Sequence, residues 1–286
     1  MNQPALSPLT RNRRRLLKHL LLAAGLAGAA TLGAQAQITV ASDNAGNYSA
    51  WPQTANNGTG FGNWSFNNTT PNGGYSGEFL GSSYTGNGGG LNSGNGSAFG
   101  FYANSGTYAA ANATAPFAAG SLTTGQTFSV QYQNDNIGDT GGLEGFNLQN
   151  SSGNELFQFY FIGGLTDYYI KVWTSSGSGV QLDTTVGYTS SPLTLDYTQG
   201  GAGAWTFSLL EGSTTEATLT SASTGDSIWQ NGVSQVDLYN QNGGDLGNQN
   251  DNNYFNNLQI TSAPEPGTVA LGVLSGLVLL ALRRRR

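Results

Sequence analysis

Short stretches in which apolar and polar residues alternate recur along the chain from Phe128 to Ile260. A two-residue period is typical of strands that bury one face, and turn residues separate the stretches. No helical period of comparable length occurs between Gln37 and Pro266. The pattern therefore predicts an all-β fold, a two-sheet antiparallel sandwich. The apolar positions that carry it are Phe128, Val130, Tyr132, Phe146, Leu148, Phe157, Phe159, Tyr168, Ile170, Val172, Leu193, Leu195, Trp205, Phe207, Leu209, Val236, Leu238, Phe255, Leu258 and Ile260.

Residues 37–96 form a section rich in glycine and asparagine that nevertheless contains several aromatic residues. Disordered segments are poor in aromatic residues, whereas Asn- and Gly-rich turns between short strands produce this composition. Trp51 and Trp64 lie in this section, and we expect them to be exposed. Trp173 and Trp205 lie on predicted strands, where large aromatic side chains are mostly buried. Exposed tryptophan rings stack on sugars, so Trp51 and Trp64 are candidate glycan-binding residues.

The N-terminal segment has the layout of a signal peptide. Arg11, Arg13, Arg14, Arg15 and Lys18 form a basic region, and an apolar stretch runs from Leu20 to Leu32. Ala34 and Ala36 then form an A-x-A cleavage site for signal peptidase. We expect residues 1–36 to be removed and residues 37–263 to form the exported domain.

The C-terminal segment, residues 264–286, combines three features. Pro264, Glu265 and Pro266 precede an uncharged apolar run over residues 267–282, and Arg283, Arg284, Arg285 and Arg286 close the sequence. As a helix the run would be about 24 Å long, which is short for a permanent membrane span. The arginines would stay on the cytoplasmic side.

This C-terminal arrangement resembles the PEP-CTERM sorting signal of Gram-negative bacteria. The resemblance covers residues 264–286 alone. It implies recognition by an exosortase-type membrane peptidase, cleavage near Pro264 to Pro266, and a transient inner-membrane stage before release. The mature protein would then reach the cell surface or the extracellular matrix, including that of a biofilm. The alternative is an ordinary transmembrane anchor preceded by a chance Pro-Glu-Pro.

Charge excludes several classes of function. Between Gln37 and Pro266 the sole basic residue is Lys171, and all 16 acidic residues lie there. Such a region cannot neutralise phosphates, so nucleic acid is excluded as a partner. The one histidine, His19, lies in the signal peptide and there is no cysteine. Histidine-dependent triads and zinc sites built on His or Cys are therefore excluded as well.

Two acidic loops offer oxygen ligands for a cation. One contains Asp135 and Asp139, and the other contains Asp245 and Asp251 with several asparagines between them. Calcium takes six to eight oxygen ligands, so these four carboxylates are a candidate calcium site. The alternative is that they are solvated turn residues. No other cofactor is predicted.

The strand order from Phe128 to Ile260 resembles the concanavalin-type jelly roll. The resemblance implies a fold whose members often bind glycans or calcium and sometimes hydrolyse polysaccharides, but fold alone assigns no function. Glu144 and Glu155 are candidates for a hydrolytic carboxylate pair. The E-x-D-x-x-E stretch of jelly-roll glucanases is absent, so we expect a protein that is not an enzyme.

The predicted function is a structural or adhesive component of the matrix. One alternative is a carbohydrate-binding module, with or without a dependence on calcium, and the other is a glycan hydrolase.

Overall fold

The computed structural model describes residues 37–70, 75–83, 90–91, 94–104, 108–134, 137, 141–174, 178–224, 232–242 and 251–263. The predicted signal peptide, sorting motif, membrane helix and basic stop all lie outside these residues. Within the described ranges, no helix is both long enough and apolar enough to span a membrane.

Strands dominate the described part of the chain. Its longest helix, α1, is a single turn at Ser221–Thr224. The strands are β1 Ile38–Asp43, β2 Ser65–Thr69, β3 Tyr75–Gly81, β4 Ala98–Asn104, β5 Ala110–Pro116, β6 Gln126–Asn134, β7 Leu143–Gln149, β8 Glu155–Ile162, β9 Asp167–Trp173, β10 Gly179–Gly187, β11 Leu193–Gln199, β12 Trp205–Glu211, β13 Thr214–Thr220, β14 Gln235–Gln241 and β15 Asn253–Ser262.

The strands form two sheets. Sheet A has the order β13-β12-β11-β6-β15-β4-β3, with β1 beside β15. Sheet B has the order β10-β9-β8-β7-β14-β5-β2. Every pairing with a described register is antiparallel. The predicted all-β fold with two antiparallel sheets is therefore confirmed for the described residues.

Aromatic side chains fill the space between the sheets. Phe157 of sheet B lies 5.1 Å from both Tyr197 and Phe207 of sheet A, measured between ring centroids. Phe159 approaches Phe207 at 5.8 Å. All four rings are inaccessible to solvent. Such pairs stabilise a core by about 0.5–1.5 kcal/mol each beyond the effect of area burial.

Packing between the sheets determines which side chains face outwards on sheet B. Successive side chains of a strand point to opposite faces, so the neighbours of Phe146, Phe159, Ile170 and Leu238 project away from the core. The seven strands lie side by side at about 4.8 Å spacing, which makes this outer face about 29 Å wide. Its residues are almost all polar or aromatic.

Candidate functional site

The glycan-binding role predicted for Trp64 is wrong, because its side chain is only 1% exposed. The indole Nε1 donates to Asp43 Oδ2 at 3.2 Å. Asp43 also accepts from the Tyr48 hydroxyl at 2.8 Å and from Asn47 Nδ2 at 3.0 Å. Trp64 is therefore held in the core by a buried carboxylate, and no sugar can stack on its ring.

Trp51 is half-buried, and it packs against the core rather than standing free of it. Its ring lies 4.5 Å from that of Phe99 and 5.2 Å from those of Trp64 and Phe66. Three neighbouring rings thus occupy the surfaces on which a sugar would stack. The expected exposure of the tryptophans in residues 37–96 is not found, because the strands of that section pack onto the sandwich.

Of the four residues predicted to bind calcium, one lies among the described residues. Asp135, Asp139 and Asp245 lie outside the described residues. Asp251 is fully buried, and its main-chain oxygen accepts from Asn240 Nδ2 at 3.3 Å. Among the described residues no group of three or more His, Cys, Asp or Glu side chains could hold a metal ion. The calcium site stays a prediction.

Glu144 and Glu155 do not form a pair, because they lie on opposite faces of sheet B. Glu144 is fully buried on the core side, where its Oε1 accepts from Asn240 Nδ2 at 2.9 Å. Glu155 stands opposite Gln149, past an irregularity in the β7–β8 pairing at Leu156. A bulge of this kind turns a side chain to the other face. The candidate hydrolytic pair is therefore wrong.

The outer face of sheet B carries two continuous rows of side chains that run across all seven strands. The first, here called the amide row, consists of Ser65, Thr114, Asp237, Asn147, Gln158, Lys171 and Gln181. The second, here called the tyrosine row, consists of Asn67, Asn112, Tyr239, Gly145, Tyr160, Tyr169 and Asp183. Adjacent members of each row are register partners on neighbouring strands.

Asp237 is the centre of the hydrogen-bond network in this face. Its Oδ2 accepts from Asn112 Nδ2 and Asn147 Nδ2, both at 3.2 Å. Its Oδ1 accepts from Thr114 Oγ1 at 3.1 Å, and Gln149 Nε2 lies 3.5 Å from Oδ2. Because the NH₂ groups turn towards this carboxylate, the amide planes around it are fixed. Asp237 is thus a positioning residue for the amide row.

The environment of Asp237 perturbs its titration. The side chain is only 5% exposed, and burial raises its pKa from 3.8 to about 6. The hydrogen bonds from Asn147, Asn112 and Thr114 lower the pKa in part, while the charge of Glu155 raises it. Burial also raises the pKa of Glu155, against a lowering by the nearby charge of Lys171. The two carboxylates therefore influence each other across the same face.

Aromatic rings occupy the same face. Tyr160 and Tyr169 are stacked with ring centroids 6.0 Å apart. The Tyr239 hydroxyl accepts from Gln158 Nε2 at 2.8 Å, which ties the two rows together. The Lys171 ammonium lies 4.7 Å above the ring of Trp173. Trp173, expected in the core, is instead a half-buried residue of the outer face, whereas Trp205 is buried as expected.

Between two of these tyrosines the face has no side chain. Gly145 stands opposite Tyr160 on one side and Tyr239 on the other. A Cβ at Gly145 would clash with the main-chain oxygen of Phe159. Glycine alone fits this close approach. Gly145 is itself buried, and Tyr239 and Tyr160 beside it are 0% and 4% exposed, so the centre of the tyrosine row is closed to solvent.

The sequence analysis did not single out the members of the two rows. The sequence of β9 does indicate which residues face outwards, because Tyr169, Lys171 and Trp173 alternate with the buried Tyr168, Ile170 and Val172. Once the second set is assigned to the core, the first set must lie on the outer face. No comparable signal identifies Asp237, whose partners come from strands distant in the sequence.

No protein-family model matches the chain, and no curated protein is similar to it in sequence. Solved structures with a similar fold include the globular domain of Trypanosoma cruzi calreticulin, which has 8% identity, a TM-score of 0.47, and coverage of 78% of this chain and 95% of that one. A carbohydrate esterase of the Shiga toxin-encoding bacteriophage phi24B has 14% identity and a TM-score of 0.46, with 80% and 100% covered. An endo-β-1,4-glucuronan lyase of Trichoderma reesei has 10% identity and a TM-score of 0.42, with 69% and 94% covered.

These structures correct one expectation. The sequence led us to expect a protein that is not an enzyme, yet the similar structures include a carbohydrate esterase and a polysaccharide lyase. The sandwich therefore gives no ground for excluding catalysis, and that exclusion is withdrawn. At this identity the likeness concerns the fold and assigns no activity.

Asp237 makes the stability of the protein depend on pH in a defined direction. Its carboxyl binds a proton more tightly in the folded state, with a pKa of about 6, than in the unfolded state, at 3.8. Stability is therefore gained as pH falls through this window and lost as it rises. From pH 7 to pH 4 we expect this group to add about 2 kcal/mol to the free energy of unfolding.

Urea denaturation of wild type and Asp237→Asn at both pH values measures this contribution. The variant should lose most of that gain, while Asp183→Asn, at the end of the tyrosine row, should keep it. An equal pH dependence in wild type and Asp237→Asn would show that Asp237 titrates normally.

Proposed function

We propose that the protein is an exported β-sandwich whose outer face on sheet B binds a polysaccharide. The observation that carries this proposal is the pair of continuous rows across the seven strands, built from amides, hydroxyls and aromatic rings. Sugar rings offer hydroxyl groups to amides and carboxylates, and apolar C–H faces to aromatic rings. A face about 29 Å wide suits an extended chain better than a single sugar.

The fixed orientation of the amides supports this role. Asp237 accepts from two asparagine side chains, and Gln235 Nε2 donates to Gln149 Oε1 at 2.7 Å. Side chains that are already held in one conformation lose little entropy when a ligand binds. A featureless acidic surface would have disordered side chains at these positions. The amides around Asp237 are therefore preorganised for hydrogen bonding.

The two terminal segments bear on where the protein acts. Ala34 and Ala36 end a signal-peptide pattern, and residues 264–286 match the order of a sorting signal. We propose that signal peptidase and an exosortase-type peptidase process the chain, and that the mature protein acts at the cell surface or in the extracellular matrix. A polysaccharide-binding face would make it an adhesive component of that matrix.

Binding should depend on the aromatic residues of the outer face. Tyr169→Ala and Trp173→Ala should each weaken glycan binding about three- to tenfold, because each removes a ring on which sugars stack. Isothermal titration with short oligosaccharides of glucose, N-acetylglucosamine, glucosamine and uronic acid measures this. Tyr75→Ala is the matched control, since Tyr75 is 63% exposed on sheet A.

Equal losses in all three variants, or no binding by any of these sugars to the folded wild type, would overturn the proposal. Assaying new reducing ends and unsaturated products in the same samples shows whether a bound glycan is also cleaved.

Sorting should leave defined chain ends. Intact-mass spectrometry of the native protein from membrane and medium fractions should find a species that begins near Gln37 and ends near Pro264. A membrane-bound species that still ends at Arg286 would show an ordinary anchor and refute the sorting proposal.

A further inference from the structure

The outer face of sheet B has an unbalanced charge. It carries four carboxylates, of Asp167, Glu155, Asp183 and Asp237, against the single ammonium of Lys171. Burial raises the pKa of Tyr169, and the nearby charges of Asp183 and Asp167 raise it further. Burial also raises the pKa of Asp237, and the charge of Glu155 adds to that increase. Lys171 is the sole basic residue between Gln37 and Pro266. Protein side chains therefore cannot balance the negative charge of this face.

Lys171 does not neutralise Glu155 by direct contact. Its ammonium lies over the Trp173 ring at 4.7 Å. Glu155 is half-buried, and in the described part of the chain its carboxylate accepts no hydrogen bond. Burial desolvates this carboxylate in part, so a ligand that supplies a charged donor would be stabilised there in place of water.

A second acceptor of the face is also unused. Asn147 is 3% exposed, and its Nδ2 donates to Asp237. Its Oδ1 is buried and has no hydrogen-bond partner among the described residues. Because buried acceptors are nearly always paired in proteins, this oxygen indicates a donor that the described residues do not provide. It lies in the amide row, between Asp237 and Gln158.

We propose that the polysaccharide bound by this face carries free amino groups, as a partly or fully deacetylated polyhexosamine does. The inference rests on the proposed function and specifies its ligand class. A protonated sugar amine supplies three donors and a positive charge to a face on which Glu155 and Asn147 Oδ1 accept from no described residue. Tyr169 is partly exposed and stacks on the buried Tyr160, so its outer ring face can attract a cation. A polyuronate would instead add its own carboxylates to a face that already carries four.

Titration calorimetry with matched oligosaccharides of equal length tests this inference. The glucosamine oligomer should bind at least tenfold more tightly than the N-acetylglucosamine oligomer, and the uronic acid oligomer should not bind. Glu155→Gln should reduce the preference for the free amine at least fivefold. Glu216→Gln removes the same charge from an exposed position on β13 of sheet A, so it should leave the preference unchanged.

The outcomes separate the two proposals. Equal binding of the two hexosamine oligomers, or tighter binding of the uronate, would overturn the amine inference and leave polysaccharide binding intact. Equal effects of Glu155→Gln and Glu216→Gln would show a general attraction between an acidic protein and a cationic sugar, which also overturns it. The absence of binding by every oligosaccharide would overturn both proposals.

Discussion

The packing of aromatic rings between the two sheets fixes the outer surface of the protein as well as its core. Phe157, Phe159 and Phe207 meet across the sandwich, and a strand that buries one side chain must expose the next. A shift of one residue in register would reverse the two faces of a strand. The amide and tyrosine rows are thus a geometric consequence of the core, and the candidate site depends on the core for its order.

Scarcity of basic residues is a second constraint. With Lys171 as the sole basic residue of the region, the buried carboxylates of Asp43 and Asp237 accept from neutral donors. Asp43 accepts from a tyrosine, an asparagine and a tryptophan, and Asp237 accepts from asparagines and a threonine. Neutral donors compensate burial less completely than an arginine would, and the pKa of both groups is raised. One network anchors the section at residues 37–96, and the other orders the outer face.

Local pattern was enough to predict the strands from Phe128 onwards, because burial of alternate residues is recorded directly in the sequence. The pattern was also enough to predict the burial of Trp205, which lies on a predicted strand. It failed for Trp64, since the carboxylate that accepts from the indole lies 21 residues earlier. It failed for Glu155, because the irregularity at Leu156 reverses the parity expected from Phe157 and Phe159.

Asp237 shows the same limit for the candidate site. Its donors belong to β5 and β7, which are neighbours of β14 in the sheet but lie about a hundred residues away in the sequence. Strand order between the sheets is a tertiary property, and no short-range signal specifies it. The site residues after Phe128 could therefore be assigned to strands, and by parity to the outward side of each strand, but not to one and the same sheet.

The account depends on a glycan binding to the outer face of sheet B. Nuclear magnetic resonance of the side-chain amide groups during titration with a glucosamine oligomer tests this most directly. The account predicts that the NH₂ signals of Asn112, Asn147 and Gln158 shift together, while those of Asn257 on sheet A, which donates to Gln131, stay in place. Shifts confined to sheet A, with these three signals unchanged, would contradict it.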